Sequence, residues 1–237
     1  CSSDLVREPV RDYHVVGRAE LVDRVWRKLR DGVDTSLLFL PGVGKTTVAQ
    51  ELLRERDKIL GHFDGVLWAN LGRQHVDSAE LRAWGEALGI PAERMNSFDD
   101  KELWLRALQD AIGDRCMLVV LDDVWRTEDA RRFMELGPRC VFLSTTRSKT
   151  VAKELGAGML VPELDPPQAF GLLCEVAPGA VEADPMAAKA LLGTLQGLPL
   201  AIVLVGKVLR RAASEAHADP ARLRRAYDED RKSTRLN

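Results

Sequence analysis

The sequence has few cysteines, no long apolar run and no excess charge of either sign, and each shortage removes a class of protein. Its four cysteines, Cys1, Cys116, Cys140 and Cys174, form no CxxC pair, so neither a disulfide framework nor a zinc site is indicated. Cys116 and Cys140 open apolar, strand-like runs, where a reduced thiol acts as a small buried hydrophobe. The longest apolar stretch, Leu198–Leu209, is interrupted by Gly206 and Lys207 and falls short of the roughly 18–20 residues of a membrane span. The opening segment CSSDLVREPVRD has no hydrophobic signal region. Lys plus Arg number 34 against 36 Asp plus Glu, a net charge of -2, which provides no basic field for nucleic acid or acidic lipid. The expectation is a cytoplasmic protein without membrane or direct nucleic-acid contact. His14, His62, His75 and His217 show no metal-ligand spacing.

What is present is a globular composition. The chain of 237 residues is 46% hydrophobic and 30% charged, enough for one large domain or two smaller ones. It contains no internal repeat and no low-complexity tract. It opens on Cys1 rather than Met, so the ends are expected to be cut. The last octapeptide, Asp230–Asn237 (DRKSTRLN), is in one reading frame what a common sequencing adapter encodes. It is read as a non-native tail and kept out of the fold.

Apolar runs alternating with helical patterns predict a parallel sheet with helices on both faces. Ser36–Leu40, Gly65–Asn70, Met117–Leu121, Cys140–Leu143 and Gly158–Val161 read as strands. Lys45–Arg56, Ser78–Leu88 and Lys101–Ile112 read as helices, the last with Trp104, Leu108 and Ile112 on one face. From Asp165 only helical patterns remain, punctuated by Pro166, Pro167, Pro178, Gly179 and Pro185. The expected organisation is an N-terminal segment 1–14, a nucleotide-binding domain 15–162, a small all-α domain 163–229 and the tail 230–237. The Leu198–Leu209 stripe is expected to be a buried helix. Trp26, Trp68, Trp84, Trp104 and Trp125 carry no interleaved basic residues, so core packing is expected of them rather than base stacking.

The segment FLPGVGKTT, Phe39–Thr47, lies between a strand and a helix and matches the P-loop pattern G-x-x-x-x-G-K-[ST] (Walker A) from Gly44 onward. Its glycines let the loop Pro41–Thr47 wrap a phosphate with the successive backbone N–H groups that follow Pro41, and the helix N-terminus adds its positive end. The departure is Phe39, which stands where the pattern has glycine. Lys45 would bridge β- and γ-phosphates, and Thr46 would offer its hydroxyl to Mg²⁺. About 75 residues on, Met117–Leu121 precedes Asp122 and Asp123. Such a strand, expected beside the loop strand, delivers Asp122 to the Mg²⁺ shell, and Asp123 can orient or deprotonate attacking water (Walker B). Arg147, closing Ser144–Arg147 at a further strand tip, can sense a γ-phosphate.

Six segments then occur in order: VVGR (Val15–Arg18), LPGVGKTT (Leu40–Thr47), FDGVLWANL (Phe63–Leu71), LVVLDDVW (Leu118–Trp125), VFLSTTR (Val141–Arg147) and GLPLAI (Gly197–Ile202). Together, over about Val15–Arg211, they resemble the NB-ARC domain of signal-transduction ATPases with numerous domains (STAND). The phrasing FDGVLWANLG looks bacterial. The resemblance implies a P-loop NTPase sheet followed by a small helical domain. It further implies that Val16 and Arg18 lie at the adenine side, with Arg18 anchoring the N-terminal segment, and that Pro199 packs on adenine or ribose. Pro41, Gly42, Val43, Gly44, Lys45, Thr46 and Thr47 would line the phosphates. The family cycles between a closed ADP state and an open, self-associating ATP state through slow hydrolysis. Its members continue into a winged-helix domain whose histidine locks ADP, and then into sensor repeats. This chain is expected to be truncated before that domain, with His217 too early to replace the histidine. Two other readings stand beside the switch: a small-molecule or nucleotide kinase, and a non-hydrolysing interaction module.

Overall fold

Five short apolar runs form the sheet: β1 (Thr35–Leu38), β2 (Gly65–Asn70), β3 (Met117–Val124), β4 (Val141–Thr146) and β5 (Ala157–Leu160). The computed structural model describes residues 16–73, 78–91, 93–94 and 101–216. Segment 1–14, Val15, His75, His217 and the tail lie outside the described residues. The strands lie in the order β2-β3-β4-β1-β5, with every adjacent pair parallel. Parallel neighbours need crossovers, and the intervening helices supply them.

β3 shows why these runs read as continuous rather than alternating. Met117, Val119 and Leu121 pack on one side with Leu67 and Ala69 of β2, Phe142 of β4, Trp84, Trp104, Leu108, Ile112 and Phe133. Leu118 and Val120, which alternate with them, are also fully buried. A strand covered on both faces has no polar side to display. The helices are α1 (Ala19–Arg30), α2 (Lys45–Arg54), α3 (Arg56–Leu60), α4 (Ser78–Ala87), α5 (Lys101–Ile112), α6 (Thr127–Met134) and α7 (Lys149–Leu155). In α1, Leu21, Val22, Val25, Trp26 and Leu29 make a buried stripe at helical spacing.

Two sequence expectations need correction. The aspartate strand does not lie beside the loop strand: β4 separates β3 from β1, with the Ser36 and Ser144 hydroxyls 2.6 Å apart across the β1–β4 pair. Apolar pattern identifies strands but says nothing of which pair. Nor do β3 and β4 stop where their apolar runs stop. β3 continues through both aspartates to Val124, and β4 through Ser144, Thr145 and Thr146. Those three polar residues are buried because each has a hydrogen-bond partner, namely Ser36, Asp122 and the Val124 carbonyl.

The described residues divide into two compact units: Glu20–Leu40 with Lys45–Val161, and 16–19 with Pro41–Gly44 and 162–216. The second contains α8 (Pro166–Val176), α9 (Pro178–Ala183), α10 (Pro185–Leu192) and α11 (Pro199–Ala216). Each helix starts on a proline, whose missing N–H has no intrahelical partner there anyway. Asp165 caps α8 reciprocally with Gln168, and Asp184 caps α10. Leu172, Leu173, Leu191, Ile202, Val203 and Leu209 form the unit's core. The Leu198–Leu209 stripe is therefore only partly buried, since Leu200, Leu204 and Val208 on the same helix are exposed. Gly197 turns the chain into α11 at φ 67°. A Cβ there would lie 2.2 Å from the Leu164 carbonyl oxygen, and the Leu164 N–H donates to the Gly197 carbonyl at 2.9 Å.

Candidate functional site

β1 ends at Leu38 and α2 begins at Lys45, so the loop between them delivers Lys45 and Thr46 on the first helical turn. In the first unit, the Lys45 ammonium donates to the carbonyls of Phe39 and Leu40, each at 3.0 Å. Lys45 is only 9% exposed. Burial pushes its pKa down, the positive charge of Arg147 adds to that, and Asp123 and Asp122 oppose it. A desolvated cation with incomplete compensation favours an anionic partner. Phe39 has φ 154°, a region that glycine enters far more easily than phenylalanine. The departure from the loop pattern is thus a strained backbone position.

Thr46, on α2, meets Asp122, on β3. Its hydroxyl donates to the Asp122 carboxylate at 2.8 Å from Oδ1 and 3.1 Å from Oδ2. Thr145 of β4 donates to the same Oδ1 and accepts the Asp123 N–H at 2.9 Å. Asp122 is 5% exposed. Burial raises its pKa above the carboxylate norm, the two threonine hydrogen bonds draw it down, and neighbouring Asp123 pushes it up again.

The two aspartates sit at a β-bulge. Leu121 pairs with Ser144 and Val124 with Thr146, so three steps along β3 match two along β4. Asp123 takes up the extra residue at φ 53°, a left-handed conformation that aspartate tolerates better than most side chains. The bulge breaks the strict alternation that would send neighbouring side chains to opposite faces. Asp123 accepts from the Trp125 indole N–H at 3.1 Å through Oδ2, while Arg147 Nε lies 3.6 Å from Oδ1. The guanidinium carbons of Arg147 and Arg73 lie 5.1 Å and 4.4 Å from the centroid of Trp125.

In the second unit, Arg18 is buried and its guanidinium donates to the Val43 carbonyl at 2.9 Å. Burial lowers its pKa, and the charge of Glu163 offsets this. Val16 packs against the helical core. Gly42, at φ 78°, accepts the Leu200 N–H at 3.2 Å, and a Cβ at Gly42 would lie 3.1 Å from that of Leu200. Pro199 is the first residue of α11, so the described contact of the GLPL segment with the loop runs through Leu200.

The structure therefore brings Lys45, Thr46, Asp122, Asp123 and Arg147 together in one unit, and Arg18, Val43, Gly42 and the start of α11 in the other. Sequence spacing singled out neither Thr145, Trp125 nor Arg73. Thr145 lies inside the quoted STTR segment, but only the strand's alternation would distinguish it from Thr146. Nothing local marks Arg73.

Comparison with known proteins agrees with this geometry. The NB-ARC domain model matches residues 18–181. Disease resistance protein RFL1 of Arabidopsis thaliana is 27% identical over 209 residues, covering 82% of this chain and 23% of that protein. Disease resistance protein RPS5 of the same plant is 25% identical over 207 residues, again 82% and 23%. The chain thus spans about a quarter of the length of these relatives. Among solved structures, Cdc6p from Pyrobaculum aerophilum superposes with a TM-score of 0.64 at 16% identity, over 88% of this chain and 64% of that one. The STAND protein PH0952 from Pyrococcus horikoshii, which carries a tetratricopeptide repeat sensor, gives 0.50 at 17% identity, over 81% and 30%. Such distant superpositions speak for the α/β P-loop fold alone, whereas the domain match covers well over half of the sequence: the chain belongs to the NB-ARC family.

Proposed function

We propose that this chain binds ADP and ATP with Mg²⁺ and hydrolyses ATP slowly, serving as the nucleotide-dependent switch of a larger signalling or transcriptional regulatory protein. The observation that carries this reading is the direct contact between Thr46 and Asp122, which joins the end of the phosphate loop to the aspartate strand. Mg²⁺ takes oxygen ligands and usually only one or two from protein, the rest being phosphate and water. The Thr46 hydroxyl and the buried Asp122 carboxylate form an oxygen-only pair of that kind. Mg²⁺ bound there would neutralise charge between the β- and γ-phosphates.

In this reading Lys45 binds phosphate, Arg147 meets the γ-phosphate and Asp123 orients the attacking water. The remaining nucleotide contacts named from the sequence stand as part of the proposal, as do the domain limits 15–162 and 163–229. Self-association belongs to the intact ATP-bound protein. The bacterial origin, carried by the FDGVLWANLG phrasing, and the cytoplasmic location belong to the same proposal. Among the described residues, no helix is long and apolar enough to cross a membrane.

Calorimetry with ADP, with and without Mg²⁺, tests the site, and phosphate release with and without candidate acceptors tests the chemistry. Slow release that ignores acceptors supports the switch. Acceptor-dependent transfer would indicate a kinase, and tight binding without release a non-hydrolysing module.

A further inference from the structure

Trp125 is touched by three different side chains at once. Its N–H donates to Asp123 Oδ2 at 3.1 Å, and the guanidinium carbons of Arg147 and Arg73 lie 5.1 Å and 4.4 Å from its ring centroid. These residues come from the C-terminal ends of three neighbouring strands: Arg73 beyond β2, Asp123 and Trp125 at the end of β3, and Arg147 just after β4. We propose that Trp125 is a positioning residue for triphosphate recognition, holding Arg147 and Asp123 in one arrangement while Arg73 adds a second cation beside the ring. This inference rests on the nucleotide-binding reading of the loop.

The distances decide which contact does the holding. At 3.6 Å, Arg147 Nε is beyond hydrogen-bond range of Asp123, and the arginine side chain is 45% exposed, so the ion pair alone confines it weakly. The indole supplies what the carboxylate does not. Its face attracts the guanidinium, and its N–H occupies Asp123 Oδ2, leaving Oδ1 toward Arg147. Two guanidiniums share this ring with a single carboxylate among its contacts, leaving excess positive charge for a ligand with one more phosphate. An exposed cation–π contact corresponds to about a two- to fivefold change in an equilibrium constant.

The test uses the full chain and measures affinity, with Mg²⁺, for a non-hydrolysable ATP analogue and for ADP. W125L should lower the ratio of analogue to ADP affinity about two- to fivefold while leaving ADP affinity unchanged. W125F, which keeps a ring face, should restore most of that ratio. The tryptophan emission lost on W125F substitution should respond to the analogue but not to ADP, and R147A should abolish the response. Should W125L fail to fold, R73A carries the test, because the triphosphate preference should fall there too. An unchanged ratio in W125L, or equal weakening of both nucleotides, overturns the proposal while leaving the nucleotide site standing. Failure of the unsubstituted chain to bind either nucleotide overturns both.

Discussion

The Thr46 hydroxyl lies 2.8 Å from Asp122 Oδ1 although 76 residues separate the two in the chain. The contact exists because α2 starts directly behind the phosphate loop while β3 extends past its apolar run to carry Asp122 as far as that turn. Its partner on the other side is Thr145 of β4, so one buried carboxylate gathers a helix and two strands.

That burial predicts a conflict between stability and function at Asp122. The folded pKa is raised, so the native state holds the proton more tightly than the unfolded chain. Stability is then lost as pH rises from near the unfolded value of 3.8 through the folded pKa. Asp122→Asn removes this titration, and hydroxyl rotation lets the two threonines serve an amide instead. Its nucleotide-free melting temperature at pH 7 should equal or exceed wild type, by about 2–4 °C for each kcal/mol recovered. Mg²⁺-dependent nucleotide binding should be lost. Asp34 also has a raised pKa, so the difference between wild type and variant across pH 4–8 isolates Asp122. A variant that melts lower at pH 7 would contradict this account.

Lys45→Ala should weaken ADP and ATP about ten- to a hundredfold, the loss of a charge-assisted hydrogen bond of roughly 1.5–3 kcal/mol. Because Lys45 is itself desolvated in the fold, its removal should leave the nucleotide-free stability within about 1 kcal/mol. Calorimetry and thermal melting together check both halves, and an unaltered ADP affinity would reassign the loop.

Asp123→Asn should slow ATP hydrolysis about tenfold or more while leaving ADP affinity within about threefold, since a water-orienting group matters chiefly in the transition state. Asparagine suits the φ of 53° as well as aspartate does, so the bulge should persist. Single-turnover phosphate release beside ADP calorimetry reads the two effects. Equal loss of binding in the Asp122 and Asp123 variants would collapse the division of roles.

Phe39→Gly should stabilise the chain by up to about 2 kcal/mol and leave nucleotide affinity equal or tighter. Phenylalanine at φ 154° carries on the order of 1–3 kcal/mol of backbone strain, against about 0.5–1 kcal/mol of extra glycine entropy in the unfolded chain. Denaturant melts measure the balance. A clear loss of stability would show that the half-buried ring packs usefully beneath the loop.

Gly197→Ala should destabilise the helical unit by at least about 2 kcal/mol. The new methyl would meet the Leu164 carbonyl at 2.2 Å and hold alanine at φ 67°, and both costs fall on one turn. Proteolysis of the region after Pro162 should accelerate accordingly, and wild-type resistance would refute the assignment of this turn as a fixed joint.

By itself the sequence determined the strand–loop–helix around Lys45, the aspartate pair at the end of an apolar run, and the succession of proline-initiated helices. These are local patterns, carried by side-chain period, glycine and proline, and they survive in any one segment read alone. Strand pairing is different, because parallel partners are chosen by packing between residues far apart in the chain. So the insertion of β4 between β1 and β3, and with it the place of Thr145 beneath both aspartates, was decided only in three dimensions. The bulge at Asp123 is likewise a register difference between two strands, a property that neither strand possesses alone. Trp125 shows the same limit most plainly. Its flanking sequence gave no reason to pair it with basic residues beyond its own segment, and the sheet delivered Arg73 from one neighbouring strand end and Arg147 from the other.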